Sequence, residues 1–206
     1  MDDYLEVPTM DARNWLADAA RECGYPSENA DAIGYIAWWL ENRGAGGVLR
    51  TTVYLLGIHG RPFDELKPEI RGDTVVGICP VEFVTPILVS LMKGDNDFSE
   101  WTGGMATADP VLVGPLLAQM LEYEYNIHIR YHDQHVIFCQ DGIAILSDSL
   151  ATFAMTDTKS GVELAIRLVK SGDEDVPLTF RYQKKETLRI PGFRYLKGGG
   201  FRFDPS

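Results

Sequence analysis

The chain has 206 residues, 45% of them hydrophobic and 24% charged, with a formal net charge of −11. That balance excludes a disordered chain and allows one full hydrophobic core. It argues against a nucleic-acid partner, because phosphate binding needs a basic face.

There is no run of about 18 apolar residues and no basic segment leading into an apolar one, so neither a membrane span nor a secretory signal is expected. Cys23, Cys79 and Cys139 stand singly, with no CxxC. Unpaired cysteines of this kind fit a reducing compartment, and a cytoplasmic location is expected.

Residues 1–8 are acidic and end at Pro8. Thr9 is expected to cap a helix from Met10 to Cys23, with Gly24 as its stop. Ser27 is expected to cap a second helix, Glu28 to Arg43, stopped by Gly44. Its apolar stripe of Ala30, Ile33, Ile36, Ala37 and Leu40 is widened by Tyr35, Trp38 and Trp39. A helix this broadly apolar is buried on two sides or pairs with a partner subunit, which raises a homodimer through the Trp38-Trp39 helix. Gly44-Ala45-Gly46-Gly47 reads as a turn between helices. It could also cradle an anion, although no Lys-Ser/Thr follows as in a phosphate loop. The next helix runs from Val48 to Ile58, with Leu49, Val53, Leu56 and Tyr54 expected inside.

Thr74–Cys79 reads as a strand. A helix is expected from about Pro86 to Lys93, and a loop from Gly94 to Ala108. Asp109 followed by Pro110 marks a helix start, running to about Tyr123 or Tyr125 with an interruption at Gly114-Pro115.

The most informative stretch is Asn126–Asp148, which holds three of the four histidines. Three β-forming runs are separated by Asp133-Gln134 and by Asp141-Gly142, giving two tight hairpins. With these pairs as the turns, His132 faces His135, Arg130 faces Ile137, and His135 faces Asp148. Ile127, Ile129, Tyr131, Val136, Phe138, Ile143 and Ile145 then share the other face, which is the core side. The row His132, His135, Asp148 admits three readings. It is a solvated face, a histidine oriented by a carboxylate as general acid or base, or two imidazoles and a carboxylate around a metal. Arg50 and Arg130 are candidate anchors for a small carboxylated ligand.

Ala151–Thr156, Val162–Val169, Leu178–Gln183 and Thr187–Ile190 read as further strands. Seven basic residues between Arg181 and Arg202 read as solvated charges that protect sheet edges, or as a patch for an anion or an acidic partner. The layout is one α+β domain, 1–206: helical over about 9–60, mixed over about 61–125, β-rich over about 126–206. N-terminal helices are expected to pack on a mainly antiparallel sheet from the C-terminal half.

The segment from Ala12 to Leu56 resembles a bacterial family labelled domain of unknown function 3726, through Ala20, Arg21, Gly24, Glu28, Ala30, Trp39, Leu40, Arg43 and Gly44. That resemblance implies no activity. RGAGGVLRTTVYL also resembles the N-terminal segment of the malate/L-lactate dehydrogenases that lack a Rossmann fold, through Arg43, Gly44, Gly47, Val48, Leu49 and Arg50. The Ser-His of that family's turn is missing here. This second resemblance implies a degenerate relative of an NAD(P)-dependent enzyme, with nicotinamide binding in doubt and a loop at His135.

No motif fixes a reaction or a cofactor. The expectation is a protein that binds a small molecule or a partner subunit. The alternatives are an enzyme of small carboxylic or amino acids using His132, His135 and Asp148, or the degenerate dehydrogenase relative.

Overall fold

The computed structural model describes residues 4–71, 74–91, 100–105, 109–132, 134–146, 162–191, 194–195 and 201–202. The fold is α+β. Among the described residues, five α-helices lie mostly in the N-terminal half: α1 (Thr9–Glu22), α2 (Ser27–Glu41), α3 (Gly47–Ile58), α4 (Pro80–Leu91) and α5 (Gly114–Met120).

The strands are β1 (Tyr4–Pro8), β2 (Glu69–Arg71), β3 (Thr74–Gly77), β4 (Glu100–Met105), β5 (Tyr125–Tyr131), β6 (Gln134–Cys139), β7 (Gly142–Ile145), β8 (Val162–Lys170), β9 (Phe180–Arg181), β10 (Thr187–Pro191), β11 (Arg194–Tyr195) and β12 (Phe201–Arg202). The main sheet runs in the order β2-β3-β4-β8-β5-β6-β7-β9. Among its described strand pairs, only β3 and β4 run parallel. β1 pairs with β10, so the start and the late part of the described chain close on each other.

Pro8, not Thr9, precedes α1 as its cap position. The Thr9 hydroxyl instead donates to the Lys185 carbonyl at 2.5 Å, and the Thr9 amide donates to the Glu186 carbonyl. A residue expected to cap a helix therefore ties down β10. Ser27 likewise starts α2 with no side-chain cap bond, behind Pro26.

The breadth of the apolar surface of α2 is used within the chain, since α2 packs against α1, α3, α4 and α5. Trp39 is 1% exposed, donates its indole N–H to the Tyr123 hydroxyl at 3.0 Å, and lies against Phe138 of the sheet. Gly34 allows α1 to approach, because a Cβ there would sit 2.5 Å from the Arg13 carbonyl oxygen.

α3 corrects the expected inward set. Val48, Tyr54, Leu55 and Ile58 are buried, while Leu49 and Leu56 point outward, about half exposed. Two apolar stripes on α3 share the helical period, so periodicity cannot choose between them. The choice follows Arg50, whose side chain is buried in an ion pair with Asp109. Asp109 does cap the 3-10 turn that begins at Pro110, accepting the Val111 amide at 3.0 Å. The interruption expected at Gly114-Pro115 is present: the turn Pro110–Leu112 gives way to α5, which ends at Met120.

α4 begins at Pro80 rather than near Pro86, which lies inside it. Proline suits a first turn and costs a hydrogen bond in the interior. Buried Phe83, Val84, Ile87, Leu88 and Leu91 offset that cost. Residues 100–105, expected as loop, form β4. Its low β-propensity glycine is covered from within, because the Trp101 ring lies over Gly103. The strand expected at Ala151–Thr156 lies outside the described residues.

One continuous core joins helices and sheet. From the sheet it takes Trp101, Leu164, Ile166, Leu168, Ile127, Ile129, Tyr131, Val136, Phe138 and Ile143. The meander residues among these are the set assigned to the core from alternation, except Ile145, which is half-buried and packs against it. The opposite face of the sheet carries the candidate site.

Candidate functional site

The register of the two hairpins differs from the expected one. Tyr131 pairs with Gln134, Arg130 with His135, and His128 with Ile137. The turn therefore follows Tyr131, and His132 sits in it with φ of 50°, its side chain exposed. His132 is not the cross-strand partner of His135. Cys139 pairs with Gly142 and Ile137 with Ala144, which puts the second turn at Gln140-Asp141. Asp148 lies outside the described residues.

Both pairings move by an even count, so side chains keep their faces while every partner changes. His128, Arg130, His135, Ile137, Cys139 and Ala144 share the face away from the helices. Pairing with β8 adds Arg167 opposite His128 and Ala165 opposite Arg130, and β4 adds Glu100 and Thr102 beyond them. Burial divides this face. Ile137, Cys139 and Ala144 are covered, Ala165 is half-buried, and Arg130 and Thr102 are exposed. His135 stands at the boundary.

A chain of hydrogen bonds runs along that boundary. His128 Nδ1 lies 3.1 Å from His135 Nε2, and His128 Nε2 lies 2.6 Å from Glu174 Oε1. The Asn126 side-chain amide donates to the same Glu174 oxygen at 3.1 Å. His128 is 8% exposed and its ring centroid is 5.2 Å from that of His135. Burial lowers the His135 pKa, and His128 and Arg130 lower it further against an opposing pull from Glu174. His135 thus favours the neutral form, next to the fixed positive charge of Arg130.

The other candidate anchor is committed elsewhere. Arg50 donates to Asp109 and to the Ala45 carbonyl, the latter at 2.9 Å. Burial raises the Asp109 carboxyl, opposed by Arg50 and by the Val111 amide. The pair links α3 to the turn before α5. Arg43 is also internal. Its guanidinium stacks 3.6 Å from the Trp39 ring centroid, approaches Tyr182, and donates to the Gln140 carbonyl at 3.0 Å. Tyr25, Tyr54 and Cys79 form a buried hydrogen-bonded group, with the Tyr25 hydroxyl donating to Cys79 Sγ at 3.4 Å. Among the described residues, no group of three or more His, Cys, Asp or Glu is arranged to hold a metal ion.

Glu174 is absent from the sequence reading, since it falls between the strands expected at Val162–Val169 and Leu178–Gln183. It is 46 residues from His128. Only the β5–β8 pairing, with Tyr125 opposite Lys170, carries that turn to the site. A carboxylate just past a strand was the available signal, and it becomes specific only when the neighbouring strand is known.

No family model matches the chain, and no curated protein matches it. Among solved structures, a malate dehydrogenase from Pyrococcus horikoshii OT3 is a weak neighbour, with a TM-score of 0.47 and 14% identity over 69% of this chain. That alignment takes in 50% of the dehydrogenase, so the chain spans about half its length. No helix among the described residues is long and apolar enough to cross a membrane.

Proposed function

We propose that the chain binds a small carboxylate-bearing molecule on the face of the sheet away from the helices, with Arg130 as the anion anchor and His135 beside it. The supporting observation is the placement of Arg130. It is exposed, directly opposite His135 on one side and half-buried Ala165 on the other. Ala165 has the smallest side chain that carries a Cβ, so the anchor has room beside it. A guanidinium offers a planar fork that matches a carboxylate with two parallel hydrogen bonds. In a chain of net charge −11, a cation beside histidines on an otherwise acidic molecule is a selective feature rather than a general attraction.

The whole chain acts as one domain in this reading, and its ligand is a small molecule rather than a partner subunit. α2, whose wide apolar surface suggested a dimer, packs on α1, α3, α4 and α5, with Tyr35 and Trp38 half-buried. Of the originally named trio, His135 is retained, and His128 and Glu174 take the places given to His132 and Asp148.

A thermal-shift screen against small mono- and dicarboxylates tests this. A ligand at 100 times its Kd stabilises the native state by about 2.7 kcal/mol, a shift of roughly 5–11 °C for a chain of this size. The shift should disappear in Arg130→Ala and survive in Arg61→Ala, a distant control. A hit that is indifferent to Arg130→Ala counts against the site, and so does a carboxylate panel with no hits.

A further inference from the structure

We propose that His128 and Glu174 are positioning residues that hold His135 in one tautomer, with Nδ1 as a proton acceptor, so that the site takes one proton from its ligand. This deepens the carboxylate-binding reading, but its geometric basis does not depend on any ligand.

The argument starts at Glu174. An ionised carboxylate only accepts hydrogen bonds, so its 2.6 Å contact requires a proton on His128 Nε2. With His128 neutral, its Nδ1 then carries a lone pair. That nitrogen lies 3.1 Å from His135 Nε2, and two lone pairs cannot face each other at that distance. His135 Nε2 therefore carries the proton and donates it. In a neutral imidazole only one nitrogen is protonated, so His135 Nδ1 is left as an acceptor. One carboxylate thereby sets the tautomers of two rings in sequence. Asn126 holds the carboxylate in turn.

The proton step balances without any further reactant. An acidic X–H bond of the ligand breaks, its electron pair stays on X, and the proton bonds to His135 Nδ1. The new positive charge can pass through the shared Nε2–H to His128, whose Nε2–H already donates to Glu174. The pair stops at one proton, because a second would place two imidazolium rings in contact beside Arg130. A carboxylate on Arg130 and an X–H on the same small molecule define the substrate class.

Among the described residues, the charged groups around this pair are few. β5 contributes Arg130, which opposes protonation, and the turn after β8 contributes Glu174, which favours it. β8 contributes Arg167 opposite His128, with Glu100 of β4 beyond it. β7 contributes only Gly142, Ile143, Ala144 and Ile145. His132 stands in the hairpin turn.

Ring 15N–1H correlation spectra of the ligand-free full chain test the assignment. At neutral pH, His135 should show one tautomer, with unprotonated Nδ1 and protonated Nε2. Glu174→Ala should release it into a tautomer mixture. Glu174→Gln should keep the tautomer, since the Gln carbonyl still accepts, and should lower the apparent pKa of the pair by about one pH unit or more. An amide spectrum matching the wild type establishes that each variant is folded. A His135 protonated at Nδ1 in the wild type, or one tautomer unchanged in Glu174→Ala, overturns the proposal. Because no ligand is present, this failure is separate from a failure of Arg130 to bind carboxylates.

Discussion

Gly47→Ala should be among the most damaging single-methyl changes in the chain, for a reason that also decides what the glycine-rich turn is for. Gly47 opens α3 where it meets α2. A Cβ there would lie 2.8 Å from both the Glu41 amide nitrogen and Leu40 Cβ, and closer still to the Ala37 carbonyl oxygen. None of these atoms is the end of a flexible side chain, and Ala37 and Leu40 are completely buried. The helices must part, which moves Arg50 against Asp109. Overpacking costs about 1–3 kcal/mol, and rigid neighbours place this case near 3. At roughly 2–4 °C per kcal/mol for a chain of this size, Tm should fall by about 6–12 °C. Gly46 is the control. It has φ of +68° and nothing within 4 Å of its missing Cβ. Asn tolerates that conformation, so Gly46→Asn should cost under about 1 kcal/mol. Urea denaturation and thermal scans measure both. A mild Gly47→Ala beside a severe Gly46→Asn would refute helix approach as the role of this turn.

Further outcomes follow from the same geometry. Arg50→Met strands a buried carboxyl and should cost about 3–5 kcal/mol by chemical denaturation, while Arg50→Met combined with Asp109→Leu should recover much of it. His135 has its pKa lowered below its ordinary 6.5, so the native state binds less proton than the unfolded chain. Its contribution to stability is complete above about pH 6.5 and is lost as pH falls through the lowered native value. Denaturation midpoints should therefore drop between pH 7 and 5.5, and drop less in His135→Asn. Gly114→Ala places a methyl 2.5 Å from the Phe138 ring and should destabilise by about 1–3 kcal/mol, with Phe138→Leu partly suppressing the defect in the double variant.

The meander shows how far alternation reaches. Its buried face was legible because a period of two survives any even shift in pairing. The partners were not legible, because they depend on which residues turn. Asp-Gly at 141–142 looked like a type I′ turn, yet neither Gln140 nor Asp141 has a positive φ. Gly142 instead lies within β7, where a Cβ would strike the Phe180 carbonyl of β9. Its glycine serves a close backbone approach and not a turn. His132 adopts the left-handed conformation that sequence logic reserved for Gly or Asn, and so removes itself from the histidine row. The α3 stripes were ambiguous for a different reason. Only a long-range partner, Asp109, settles which side faces in. Cys23, Cys79 and Cys139 are free thiols, the last two buried, as their single spacing implied. The candidate site was half legible: His135 and Arg130 were named, and Glu174 was hidden by a 46-residue separation that only the sheet closes.

The most direct measurement is an amide chemical-shift map of the full chain titrated with a carboxylate taken from the thermal screen. The account predicts perturbations centred on Arg130, His135, Ala165 and Glu174, with α2 and α3 unmoved. Perturbations centred on the Gly44–Gly47 turn, or anywhere on the helical layer, would contradict it.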